Sequence, residues 1–362
     1  NEFRYRPAQD RTSIQRFGEL TAAEILQSLL PLFIIMLAFP AFAGEREAGT
    51  LRQVLSLGVT RRDLLAGKAL GVAGGMALVL VPATILGILA LALTFDGGLL
   101  AGSVSRSALL AAAYLLYFVV FIALSLAASA WFRSSRLALV ALLAFWMINA
   151  LVAPRLASDA AGALHTLPSA IEFRAAMDRD LSDTREVERR VAERRAELLQ
   201  QYNADNLDAV PIGFSGISLQ EGEEHANQVF DRHYGRLFEI YERQNAAMRC
   251  GGLAAPLLAM RSLSMGLAGT DLDHHRQFVA AAEDYRREMQ GMLNADIVLH
   301  QRPGRVYLAG ADLWSRVPEF VYVTPSAGWA MRRQALSLVL LAGWAVLAAL
   351  LALIAVRTTR AI

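Results

Sequence analysis

Residues 107–130, SALLAAAYLLYFVVFIALSLAASA, run for 24 positions without a charge. A helix needs roughly 20 apolar residues to cross the hydrocarbon core of a bilayer, so this run is long enough to span one. Ala69–Thr94, Leu137–Ala153 and Ala335–Val356 are also uncharged, and Ala22–Ala43 carries one charge, Glu24, at its first turn. Several such rods in one soluble protein would leave large apolar surfaces with nothing to cover them. The chain therefore reads as an all-α polytopic membrane protein with spans at 22–43, 69–94, 107–130, 137–153 and 335–356.

Composition agrees. Of 362 residues, 55% are hydrophobic and 19% charged, with a mean hydropathy of +0.37, against about 25% charged in soluble domains. A net charge of +2 excludes a polyanion partner such as nucleic acid. The single cysteine, Cys250, excludes an intrachain disulfide framework.

Basic residues orient the spans. The 44–68 connection carries Arg46, Arg52, Arg61, Arg62 and Lys68, the next on the same side carries Arg133 and Arg136, and the tail carries Arg357 and Arg360. Strict alternation puts all three in the cytoplasm. The 1–20 segment, the 95–106 loop and the charged region 154–334 then lie outside. An N-terminus on that side predicts a sixth span ahead of Asn1.

Within Glu45–Lys68, EREAGTLRQVLSLGVTRRDLLAGK, the residues Leu51, Val54 and Leu55 fall at helical spacing, with Glu45 and Glu47 near the proposed start, where a helix dipole favours anions. This predicts an amphipathic helix over 45–57, suited either to a partner's groove or to the lipid surface. Gly67, Gly71 and Gly75 form overlapping GxxxG spacings, read as packing between helices of the chain ahead of a dimer contact. Thr21 with Glu24 reads as a helix cap rather than a substrate site. Pro31, Pro40 and Pro82 predict kinks.

The run Glu45-Arg46-Glu47-Ala48-Gly49-Thr50-Leu51, followed by Leu55-Ser56, Arg61 and Gly67-Lys68, resembles the signature of ABC-2 type transporter permeases. The resemblance implies a six-helix permease fold in which 45–57 is the coupling helix seated on a separate ATPase. Glu45, Arg46, Glu47, Gly49, Thr50, Leu51, Val54, Leu55 and Arg61 are its implied coupling residues. The region 261–294 is similar to a subgroup carrying a large periplasmic insertion before the last span. The expectations are a bacterial inner-membrane permease subunit, an exporter ahead of an importer, working with two ATPase copies and with a second or sister permease. No catalytic residue and no metal site is predicted. Lys68 is not in a phosphate-binding loop, because Arg62 and Ala69 stand where that motif needs Gly and Ser or Thr, so ATP and Mg belong to the partner. Two other readings are a mechanotransmission scaffold acting on a periplasmic partner and a permease for maturation of a copper enzyme.

The outer region 154–334 predicts a mainly helical domain: a charged helix over 171–202, a break at 213–222, a helix with the stripe Phe230, Tyr234, Leu237, Phe238 and Tyr241, and another with Phe278, Ala282, Tyr285, Met289 and Met292, opened by Thr270 as cap. Leu253–Ala268 is apolar but too short to span. All six histidines lie in this region, with no pair at the i, i+4 spacing of a helical metal clamp.

Overall fold

A computed structural model describes residues 21–94, 100–302, 305 and 307–358. The 1–20 segment, residues 95–99 of the 95–106 loop and Arg360 lie outside these. The described residues form helices and no strands. The chain divides into two compact units, one holding residues up to Asp159, Ala247–Asp271 and Ser326–Ile362, the other Ala160–Ala246 and Leu272–Pro325.

The first unit is built from five helices long and apolar enough to cross a membrane: α1 (Ala22–Glu47), α3 (Arg61 to Thr94), α4 (Leu100–Trp131), α5 (Ser135–Leu164) and α13 (Ala335–Thr358). All five predicted spans are there, with longer ends. α4 is the central post, with the largest share of its residues buried among the five. Tyr117, Phe121 and Leu126 of α4 are fully buried with Ile34 and Ile35 of α1 and Leu341 of α13. Along α13, Ser337, Leu341, Ala345, Ala348, Ala352 and Ala355 are buried at spacings of three or four, a stripe of mostly small side chains that lets backbones come close.

Two of these helices are irregular. α1 opens with the Thr21 hydroxyl accepting the Glu24 N–H at 3.1 Å, the expected cap. It widens into a π turn at Ile25–Leu29 and breaks at Phe39, where Pro40 has no N–H to continue the ladder. α5 carries a second π turn at Ile148–Val152. The short apolar helix α9 (Pro256–Ala268) packs in this unit, with Leu257, Met260 and Leu263 fully buried, so residues 247–271 join the spans rather than the second unit.

In the second unit the 171–202 helix is divided into α6 (Ala170–Ser182) and α7 (Arg185–Gln201). Asp183 leaves helical geometry at ψ 83° and pairs with Arg185. The break expected at 213–222 ends at Gly213: α8 (Phe214–Cys250) runs through the rest of that stretch. Gly213, just ahead of α8, and Gly216, inside it, are the points where this stretch meets the backbone of α10 (Leu272–His300). α10 also begins later than a Thr270 cap requires. Thr270 closes α9 instead, its N–H donating to the Met265 carbonyl after Gly269 at φ 75°. Phe278 and Tyr285 pack against Phe320, and Phe278 also against Tyr322.

Candidate functional site

The structure ends the first span at Glu47, so Glu45 and Glu47 sit in the last turn of α1 and not at the start of the amphipathic helix. The dipole there disfavours anions, and each carboxylate is met by an outside group. Lys68 Nζ binds Glu45 Oε1 at 2.6 Å and the Ala41 carbonyl at 2.5 Å. Glu47 accepts the Ser135 N–H at 2.9 Å and its hydroxyl at 2.7 Å, capping the start of α5. Arg46 reaches the neighbouring helix end, donating to the carbonyls of Phe132 at 2.6 Å and Ala130 at 2.8 Å at the close of α4. Arg61, at the first position of α3, donates to the carbonyls of Val356 and Arg357 at 3.0 Å, at the close of α13. The basic connections that the charge rule assigned to one side thus meet through their own side chains.

Between these bonds stands α2 (Thr50–Ser56), a shorter helix than the 45–57 expected. Gly49 precedes it at φ 76° and Gly58 follows at φ 83°, left-handed positions that suit glycine. The Thr50 hydroxyl donates to the Glu45 carbonyl at 3.2 Å. Leu51 is 2% exposed and belongs to the core of the spans, Val54 and Leu55 are half-buried, and Arg52, Gln53 and Ser56 are exposed. Leu57, just past the helix, is 81% exposed. A leucine so open beside two polar side chains is the most outward apolar group of this segment.

The glycines of α3 divide. Gly75 faces Leu37 of α1, whereas an added Cβ at Gly67 or Gly71 meets nothing within 4 Å among the described residues. Packing among the described residues therefore accounts for Gly75 and not for the other two.

A buried polar chain deeper in the unit carries no local signal in the sequence. Gln27 Nε2 donates to the Tyr114 hydroxyl at 3.0 Å, and that hydroxyl is 3.0 Å from Ser264 Oγ on α9. The Tyr117 hydroxyl donates to the Gln27 carbonyl at 2.9 Å, and Asn149 Oδ1 accepts the Leu257 N–H at 3.0 Å. Gln27 and Asn149 lie in the two π turns, so the widened turns place the polar groups that hold α9.

The second unit is held by ion pairs. Glu283 of α10 accepts from Arg286 at 2.6 and 2.7 Å and from Arg287 at 2.8 Å. Arg287 also binds Asp231 of α8 at 2.6 Å. Arg286 first, then Arg287, holds the Glu283 carboxyl down to about 2, from an ordinary value of 4.5. A folded-state value below the unfolded one stabilises above the unfolded value and is lost as pH falls. Thermal melting is expected to show stability declining from about pH 4.5 toward 2, with a shallower decline in Glu283→Gln; identical pH profiles would reject the assignment. The side chain is 33% exposed, so solvent screening limits the effect. His233 binds Asp180 at 2.9 Å. Among the described residues no three His, Cys, Asp or Glu side chains gather as a metal site.

Comparison with known proteins gives two family matches. The model of the ABC-2 family transporter proteins covers residues 3–206, and that of a domain of unknown function, DUF3526, covers residues 170–323. The second includes the 261–294 stretch and carries no assigned role. No curated protein and no solved structure matches the chain. With more than half of its length matched and its spans in place, the chain belongs to the ABC-2 transporter family and is a membrane permease subunit of an ABC transporter.

Proposed function

We propose that this chain is the permease half of an exporter driven by a separate cytosolic ATPase, which grips it at α2. The carrying observation is the two-sided character of that helix. Leu51 roots it in the span core while Arg52, Gln53, Ser56 and Leu57 stand open between two left-handed glycines. A short rooted helix with one exposed apolar anchor and flanking polar groups suits a groove on a partner. Glu45, Arg46, Glu47 and Arg61 are engaged within the chain, so the ATPase contact falls to the Arg52–Leu57 surface.

In this reading the connections at 44–68, 131–136 and the tail face the cytoplasm of a bacterial inner membrane, and the 154–334 region, apart from the α9 segment, faces the periplasm. Two ATPase copies and a second or sister permease complete the transporter, and ATP and Mg bind the ATPase. Differential binding of α2 to the open and closed ATPase pair would shift the spans between two arrangements.

The test is purification of the tagged full-length protein from its native membrane. Wild type should retain a vanadate-sensitive ATPase activity, and Leu57→Asp should reduce the retained activity about tenfold or more, as for loss of a central anchor, with insertion unchanged. Equal retention in the two proteins would refute the assignment.

A further inference from the structure

The charged residues around α2 share a geometry that partner contact does not explain. Each reaches the end of a different span. Arg46 and Glu47 are sequence neighbours of opposite sign, and they bind opposite poles of one short connection: Arg46 takes the terminal carbonyls of α4, Glu47 the first amide of α5. Arg61 takes the terminal carbonyls of α13. Lys68 joins α3 to α1 through Glu45 and Ala41. Where Arg46, Arg61 and Glu47 meet α4, α13 and α5, charge and helix pole pair with the favourable sign, cation on carbonyl end and anion on amide end. Together they tie the ends of all five described spans to the two short arms that hold α2.

We propose that Arg46, Glu47, Arg61 and Lys68 are positioning residues: a clasp that carries displacement of α2 to the span ends, along separate branches for α4 and α5 and for α13. The proposal rests on the permease reading above and adds the route by which the spans answer. Two features support a clasp that changes arrangement over a fixed brace. Its bonds are a few hydrogen bonds from charged side chains to groups at helix ends, with one ion pair, Lys68 to Glu45, and they exchange partners at modest cost compared with a packed core. Buried polar atoms without hydrogen-bond partners are rare, yet Glu45 Oε2 and Arg46 Nε are two of the few among the described residues, so the clasp retains bonding capacity for a second arrangement.

The branches make the proposal testable. In full-length protein with exposed Cys250 replaced by serine, single spin labels are attached after Val140→Cys on α5 or Ile354→Cys on α13; these side chains are 64% and 50% exposed. The labelled protein is purified with its retained ATPase, and spectra are recorded with and without ATP and vanadate. Both labels should respond. Arg61→Ala should cut the Ile354 response about fivefold or more, the scale of an ordinary coupling energy, and leave that of Val140. Glu47→Ala should do the reverse. Arg61→Lys, which can still donate to both carbonyls, should restore the Ile354 response, separating a positioning role from a folding defect. The clasp is overturned if each variant affects both labels equally, or if neither variant affects its own branch. A wild-type complex that retains ATPase but shows no response overturns the clasp alone, while failure to retain any ATPase overturns the proposed docking at α2 along with it.

Discussion

Ser129→Ala should be among the most damaging small substitutions in the spans. Ser129 is fully buried on α4, and its hydroxyl repairs the break that Pro40 opens in α1. It donates to the Phe39 carbonyl at 2.7 Å and accepts the N–H groups of Phe42 at 2.9 Å and Ala43 at 3.1 Å. One donor and two acceptor sites are the whole capacity of a hydroxyl, and all are used. Alanine removes a single oxygen and leaves backbone groups short of partners where water cannot replace them. Buried groups left unsatisfied cost roughly 1–3 kcal/mol each, so with three groups affected a loss of about 3 kcal/mol or more follows. Melting of the detergent-solubilised protein should shift down on the order of 5–10 °C.

The control lies one helical turn away. Ser125 is equally buried, and its hydroxyl has no hydrogen-bond partner among the described residues. Removing an unsatisfied hydroxyl is neutral or favourable, so Ser125→Ala should leave the melting temperature unchanged or raise it. Equal losses in the two variants would show that the break in α1 is not held by Ser129.

The contrast between these two serines marks the limit of what the sequence discloses. Spans were legible because uncharged runs report burial or lipid contact directly. Their ends were not, since Arg61–Lys68 is charged yet continues α3 as helix. The Glu45–Leu51 run was legible as a special segment, but its charges were assigned to the wrong helix. Nothing local says that α1 extends to Glu47, or that the amide waiting for Glu47 belongs to Ser135, 88 residues on. The same holds for Gln27, Tyr114 and Ser264, whose bonds cross 87 and 150 positions. Local periodicity records which face a residue takes and not which distant group it meets.

Glycine was the other source of misreading, and α8 shows why. Gly216 and Gly235 share that helix, and propensity alone predicts that alanine stabilises at both, by about 0.5–1 kcal/mol. Their surroundings differ. A Cβ at 216 would stand 2.5 Å from the Asn294 carbonyl oxygen, 2.8 Å from Val298 Cγ2 and 2.9 Å from Val298 N, whereas one at 235 would meet nothing within 4 Å. Two of the three atoms at 216 are backbone and cannot rotate away, and Gly213 fixes the register by donating its N–H to the Val298 carbonyl at 2.8 Å. Gly216→Ala must therefore part α8 from α10, at a cost of about 2 kcal/mol from overpacking. Hydrogen exchange in the 214–222 and 291–300 segments should accelerate roughly 30-fold if the local opening energy falls by that amount. Gly235→Ala should slow exchange in its own part of α8 or leave it unchanged. If Gly216→Ala instead protects the two segments, the close approach of these helices is not what keeps glycine there.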